Sequence, residues 1–583
     1  MSYSRFAACG CPRSGLPSGS PRSAANSRDN ATQHARTSQG TDPLAVALQN
    51  DGSRACVSAR PERSPSVWGI QLYRGCEELT EVLIYLMVVF APWAFGTTQR
   101  WSIWTLNLAG YVLGLLFVLK LLIRRVQHYC PARWDDDERK NSLAHRGTRF
   151  LTEPGLTAAL GALTVLILGY CLVSAVNARA TFQDRSLAFE YRNCIPWLPH
   201  SLDADGTWFA FWSYLGLASS FWAVRDWLLG KSDGEQRAQW QRGVSVRSSA
   251  GAGRAAEAAR ERRFDGPGAS APLPARLRRL LWLLALNGAL LGLEGIVQRA
   301  AASPKLVFLV KPRIHQTAES QFGPYAYRSN AAQYFNLLWP LCLGFWWTLN
   351  RASAPKRKTH HLLLVCAAIM AACPIISTSR GGALVTVGMA ALAAFFLVAA
   401  HFLLSATRRE GLKHRNLTVV ALSLFFTVAL GLGLALGWKT LKPRLADLND
   451  GLEGREELYA AAWPMAADYP WFGTGPGTFE TVSQLYPRPD TYWPPQLHND
   501  WLETRITFGR IGSALLALAF VVVLLRWFTS GGIHGGRRFV LLTWLALAGC
   551  LVHARFDFPF QIHSILFLVV VIGAMLFGVS RRP

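Results

Sequence analysis

An all-α protein is the fold class this sequence predicts: a polytopic transmembrane bundle of about twelve helices. Three observations carry that reading. Hydrophobic residues make up 51% of the 583-residue chain, apolar runs of bilayer-spanning length recur along almost all of it, and Lys and Arg collect in the connectors between those runs. No segment of ordinary soluble-domain size stands apart. The formal charge of +24 would suit nucleic acid, but the positive-inside placement of the basic residues accounts for it, so no nucleic-acid partner is expected.

Residues 1–66 are rich in Ser, Arg, Ala, Gly and Pro and hold no apolar stretch. They read as a disordered basic cytoplasmic tail or a misassigned start, unable to form a signal peptide or a core. Candidate spans follow near 79–97, 103–123, 155–174, 207–229, 278–298, 330–349, 361–377, 381–404, 417–437, 507–528, 538–554 and 562–580. Arg124, Arg125, Arg139, Lys140, Arg146 and Arg149 follow the second span, and an Arg-rich segment at 231–279 follows the fourth. Both loops should be cytoplasmic. The same parity puts Arg351, Lys356, Arg408, Arg409, Arg526, Arg538, Arg581 and Arg582 on that side, and with them both termini.

The opposite face then receives the loop at 321–334, the connection 377–382, the long segment 438–506 and the loop 553–561. This divides the chain into a tail (1–66), nine helices with basic loops (67–437), a large outer loop (438–506) and three final helices (507–583). The outer loop is rich in Pro, Gly and aromatic residues, which suggests a lid of short helices resting on the membrane. Of the eleven cysteines, only Cys194 falls in an outer loop, so no disulfide is expected there; the one close pair is Cys9-Gly10-Cys11 in the tail, and no metal-ligand set is spaced along the chain. Paired broken helices in matching halves, the mark of an inverted-repeat transporter, are not seen in the pattern.

Every motif-like segment falls on the outer face. His498-Asn499-Asp500-Trp501-Leu502-Glu503 places an imidazole and two carboxylates just before an apolar helix, and ionisable groups at a membrane boundary are functional candidates by default. A neutral imidazole can take a proton from a hydroxyl, and Asp500 or Glu503 is placed to set its tautomer; a helix cap is the plainer reading. Arg380, in Ser377-Thr378-Ser379-Arg380-Gly381-Gly382, lies between two apolar spans with small neighbours. Arginine at such depth needs an anion, and its planar fork suits a phosphate or pyrophosphate. Arg455, in Gly454-Arg455-Glu456-Glu457-Leu458-Tyr459, would by itself be an ordinary surface residue paired with a neighbouring Glu. Tyr469-Pro470-Trp471-Phe472-Gly473-Thr474-Gly475-Pro476-Gly477 is a turn cluster, not a nucleotide loop, since no strand precedes it and no Lys-Ser/Thr follows. His553, Arg555 and Asp557 form a second polar cluster on the same face, able to pair internally or support the site.

Together these pieces resemble the O-antigen ligase and polymerase superfamily of bacterial membrane glycan transferases. The resemblance covers roughly residues 321–564 and rests on His498-Asn499 followed at family spacing by Gly509 and Gly512, on Ser-x-Ser-Arg-Gly at Arg380, on the Arg-Glu-Glu-Leu-Tyr segment at Arg455 with its Pro-x-x-Gly-x-Gly turn, and on Asp557-Phe558-Pro559. It implies a glycosyltransferase-C-like enzyme of the bacterial inner membrane, with 438–506 a periplasmic catalytic loop. It further implies transfer of a glycan from undecaprenyl pyrophosphate to a sugar hydroxyl on a glycan or lipid-core acceptor, by inverting displacement and without metal or other cofactor. In that scheme His498, Arg380 and Arg455 are catalytic, and Arg328, Tyr334, Asn499, Asp500, Glu503 and Asp557 are substrate-binding candidates. An O-antigen or exopolysaccharide polymerase is the alternative within the superfamily. A transporter of inorganic carbon or another solute is the alternative outside it, and the clustering of polar groups on one face speaks against that. The long tail and the 231–279 loop depart from the family pattern.

Overall fold

The computed structural model describes residues 66–135, 153–183, 185–250, 273–352, 359–405, 412–486, 493–529 and 537–578. The expected tail at 1–65, with Cys9 and Cys11, and several expected cytoplasmic cations, among them Arg139, Arg146, Lys356, Arg408 and Arg581, lie outside the described residues. In order the helices are α1 (Val67–Trp93), α2 (Arg100–Val126), α3 (Glu153–Val176), α4 (Ala204–Leu229), α5 (Asp233–Ala250), α6 (Ala275–Ala300), α7 (Arg328–Ala352), α8 (Leu362–Ile376), α9 (Arg380–Ser405), α10 (Leu412–Ala446), α11 (Leu448–Asp468), α12 (Asp500–Thr529), α13 (Arg537–His553) and α14 (His563–Gly578). Each apolar window of the sequence falls on one of these helices. Among the described residues, seven helices are long and apolar enough to cross a membrane (α2, α3, α6, α8 with its leading turn, α9, α10 and α12), and α13 and α14 are shorter apolar helices.

Two elements depart from the sequence reading. An antiparallel hairpin of β1 (Ala180–Gln183) and β2 (Ala188–Tyr191) joins α3 to α4. The 231–279 loop opens with α5, started by a capping box in which the Ser232 N–H and hydroxyl both donate to Glu235 at 2.9 Å.

α7 lies at the centre of the bundle, packed chiefly against α8 and α13. Trp339, Trp346, Phe345 and Phe539 are fully buried there. In lipid there is no hydrophobic drive between helices, so close approach depends on small residues. α2 and α4 supply them: a Cβ on Gly110 would lie 2.6 Å from the Gly216 carbonyl oxygen, and one on Gly114 would lie 2.8 Å from the Ser219 hydroxyl.

At the end of the bundle marked by the C-termini of α2 and α4, charges are paired inside the protein. Lys120 has no exposed side chain and sits 3.0 Å from Glu77 and 2.9 Å from Asp226. Asp226 also takes Arg124 at 2.8 Å and Arg133 at 2.7 Å, while Arg276 pairs with Glu77 and Arg279 with Glu81 at 2.7 Å. Buried ions persist only when paired. Asp226→Ala, which removes the acid shared by three cations and leaves Arg124 with none, is expected to cost about 3–5 kcal/mol, read as a lowered unfolding midpoint in detergent; an unchanged midpoint would mean the network carries no stability.

The 438–506 segment is more ordered than a lid of short helices. α10 continues nine residues past position 437 before Asp447 breaks it, and α11 is 21 residues long. Leu458, Ala462, Met465, Phe479, Trp493, Leu497, Leu502 and Ile506 form a small core of the segment's own with the start of α12. The glycine turn then locks onto a break in α12. Gly509 takes φ 62° and ψ −165°, a region open essentially to glycine alone, and this frees backbone groups that pair with the turn. Arg510 N–H donates to the Pro470 carbonyl at 3.0 Å, Ile511 N–H to Trp471 at 3.1 Å, and Thr474 N–H to Ile506 at 2.9 Å. Tyr170 of α3 closes the joint, its hydroxyl 2.5 Å from the Phe472 carbonyl and 3.0 Å from that of Phe508. A Cβ on Gly509 would meet the Gly473 nitrogen at 2.4 Å. Gly509→Ala should therefore cost roughly 1–3 kcal/mol and loosen the whole segment, seen as faster proteolysis between 469 and 486; wild-type protection in the variant would refute this.

Candidate active site

The start of α12 is built by its own polar residues. Asn499 caps the helix, its Oδ1 accepting the Leu502 N–H at 3.2 Å. Glu503 accepts the Leu497 N–H at 2.9 Å, and Asp500 accepts the Phe560 N–H at 2.7 Å while its own N–H donates to the Ala554 carbonyl at 2.9 Å. Both are buried: Asp500 holds α12 against the 553–561 loop, and Glu503 ties the start of α12 to the stretch before it. Neither sets the tautomer of His498.

That role falls to Asp557. His498 adopts φ 57°, which turns it out of line with the helix, and its Nδ1 lies 3.2 Å from Asp557 Oδ1. The ring packs edge-on against Phe558 at 4.8 Å and Tyr327 at 6.1 Å between centroids. Burial by itself would raise the Asp557 carboxyl, but the hydrogen bond from His498 and the charges of His553, His498 and Arg455 outweigh it and hold the group below its ordinary value. The Ser329 hydroxyl and the Phe558 N–H, at 3.1 Å, add two more donors. An ionised Asp557 accepts from Nδ1–H, which assigns the lone pair to Nε2. Nε2 has no hydrogen-bond partner among the described residues, and the side chain is 27% exposed. This is the geometry of an oriented general base.

Beside it lies a cavity of about 490 Å³ between α9 and α13. Four arginines line it: Arg328 at the start of α7, Arg380 at the start of α9, Arg444 in the last turn of α10 and Arg455 in α11. Asp557 is the only acid among the lining residues. Arg328 donates to the Glu319 carbonyl at 2.9 Å, Arg380 to that of Asp447 at 2.7 Å, and Arg455 to that of Phe556. Backbone carbonyls orient these forks without neutralising them, so the cluster keeps its positive charge for a ligand. The other half of the cavity is apolar, with Leu384, Val385, Met389 and Leu392 of α9 facing Leu545 and Val552 of α13. Leu384, Leu392 and Val552 are about half exposed on the outside of the bundle, so the apolar half opens sideways.

The structure therefore brings Arg328, Arg380, Arg455 and Asp557 to one cavity, with His498 hydrogen-bonded to its wall. Tyr334 is not part of it. That residue is 2% exposed and packed against Tyr325 and Phe335 in the core, because it projects from another side of α7 than Arg328 and Ser329. Sequence reasoning missed Arg444, although Lys439, Lys442 and Arg444 are three cations in a segment expected on the outer face, against positive-inside parity. It also left His553 unassigned. His553 lines the cavity, fully buried, with Nε2 3.4 Å from Ser329 Oγ and 3.9 Å from Asp557.

Residues 365–517 match the family model described as O-antigen ligase. Over this span the chain is similar to the O-antigen ligase family. The matched span runs from α8 into α12 and supplies Arg380, Arg444, Arg455, His498 and the paired Gly473 and Gly509. Tyr327, Arg328, Ser329 and Asp557 come from outside it, so the cavity is completed by parts of the chain on both sides of the matched span. No curated protein matches the chain.

Proposed function

We propose that the chain is a membrane glycosyltransferase that moves a glycan from an undecaprenyl-pyrophosphate carrier to a sugar hydroxyl. The observation that supports this most directly is the two-part cavity: four arginines at one end, an apolar groove open to the bilayer at the other, and an oriented imidazole at the wall. A lipid pyrophosphate has that same division. Its headgroup would lie among Arg328, Arg380, Arg444 and Arg455, with the prenyl tail leaving between α9 and α13 into the membrane. The cavity is too small for the whole tail, which a sideways opening accommodates.

In the reaction, the bond from the anomeric carbon to the pyrophosphate oxygen breaks, the electron pair leaving with the pyrophosphate. The acceptor oxygen forms the new bond from the opposite face, and its proton passes to His498 Nε2. Charge that grows on the leaving group is met by fixed arginines in a site poor in water, so the transition state gains more than the ground state. The site lies at the start of α7, α9 and α12 and the end of α8, α10 and α13, the end opposite the basic connectors. We place it on the periplasmic face of the bacterial inner membrane, with both termini cytoplasmic.

Purified protein reconstituted with a labelled undecaprenyl-pyrophosphate glycan and an acceptor saccharide should yield labelled acceptor and free undecaprenyl pyrophosphate. Failure to consume donor with any saccharide would refute the reading. Ligase and polymerase separate in a deletion strain: long unattached glycan marks a lost ligase, and a single repeat on the acceptor marks a lost polymerase.

A further inference from the structure

A second cavity, of about 480 Å³, lies across the 553–557 loop from the arginine cluster. Tyr459 and Trp463 of α11 form one side, Asn499, Trp501 and Arg505 of α12 another, and Arg555 completes it. Arg555 and Asn499 line this cavity; Phe556 and Asp557, which follow Arg555, line the first, and His498, which precedes Asn499, is hydrogen-bonded to Asp557. The second cavity thus adjoins the stretch of chain that carries the imidazole.

The lining has a definite chemistry. Trp463 and Trp501 are 61% and 54% exposed, and flat aromatic faces of this kind stack on the C–H faces of sugar rings while resisting nothing polar at the ring edge. Trp501 is fixed by an Nε1 bond to the Leu551 carbonyl at 3.1 Å, and Tyr459 by its hydroxyl on the His498 carbonyl at 2.7 Å. Asn499 is 4% exposed; its oxygen caps α12, and its amide N–H donors have no partner among the described residues. Arg505 is oriented by the Pro470 carbonyl at 2.9 Å, and the Arg555 guanidinium sits 5.5 Å over the Tyr459 ring. No acidic side chain lines the cavity. Two uncompensated guanidinium groups beside aromatic faces suit a saccharide that itself carries an acid.

We propose that this cavity is the acceptor subsite and that it selects a saccharide bearing a carboxylate or phosphate near the hydroxyl that attacks. The inference rests on the glycosyltransferase reading above and deepens it. A sugar held here lies beside Asn499, the residue after His498, whose imidazole the attacking hydroxyl must reach. Trp463 and Arg555 then act in acceptor binding alone.

The test compares three soluble trisaccharide acceptors, one ending in a hexuronic acid, one in a hexose 6-phosphate and one in the neutral hexose, with labelled lipid-linked donor and reconstituted full-length protein. Trp463→Ala should raise KM for every acceptor by about tenfold with kcat within about twofold. Arg555→Gln should raise KM for the acidic acceptors by a similar factor and leave the neutral one unchanged. Binding of inorganic pyrophosphate, which reads the other cavity, should match wild type in both variants and shows that they are folded. Wild-type acceptor KM in both variants, with transfer intact, would overturn the subsite and leave the two tryptophans as membrane-interface anchors. An equal KM rise for acidic and neutral acceptors in Arg555→Gln would overturn the acid selectivity. Absence of donor consumption by the wild-type protein itself would instead remove the glycosyltransferase reading on which the inference rests.

Discussion

His498→Ala is expected to lower glycan transfer by about three orders of magnitude, within the range for loss of a general base, while donor binding stays intact. The imidazole touches none of the four arginines that would hold a pyrophosphate; its partners are Asp557, Phe558, Tyr327 and, through its carbonyl, Tyr459. Asp557→Asn should be nearly as damaging although it is isosteric. An amide that donates to Nδ1 would send the ring proton to Nε2 and occupy the lone pair that must accept from the hydroxyl. Transfer rate and affinity for lipid-linked donor, measured separately, decide it. Lost donor affinity in His498→Ala would assign this histidine to the wrong substrate, and wild-type rates in Asp557→Asn would remove the tautomer argument.

Arg380→Ala and Arg455→Ala should each reduce transfer by at least about two orders of magnitude, the scale for one missing donor to a developing oxyanion. Arg444→Ala is expected to fall with them, a test the sequence did not suggest. Lysine at 380 should restore activity only in part, since an ammonium keeps the charge but cannot reproduce the planar fork anchored on the Asp447 carbonyl. Full activity of any alanine variant in purified, membrane-inserted protein would exclude that arginine from the reaction.

The helices were legible from apolar runs because the bilayer demands about twenty such residues at a time. Arg380 stood out because it lies between two apolar spans among small residues, whereas Arg455 read as an ordinary surface residue until the family resemblance singled it out. What joins His498 to Asp557 was not, since 59 positions and a whole helical hairpin separate them, and nearer carboxylates at 500 and 503 offered themselves first. Those two proved to be helix-building groups, a distinction visible only once backbone N–H donors have positions. Tyr334 was misplaced for the matching reason: which side of α7 faces the cavity depends on how α8 and α13 pack around it. The hairpin at 180–191 was invisible against apolar signals many times stronger.

The ion network around Asp226 bears on the order in which the chain can mature. During synthesis α1 is made first and carries Glu77 and Glu81, whose partners Lys120, Arg276 and Arg279 are borne on α2 and α6. Asp226 on α4 in turn answers Lys120, Arg124 and Arg133, which are made first. α2, α4 and α6 thus each answer a charge left by an earlier part of the chain, and the last pairing waits for residues 276 and 279. A nascent chain halted before α6 would leave Glu81 without its cation and Glu77 with only Lys120, which Asp226 shares, so the charge network of the first half of this protein closes only once its sixth helix has been made.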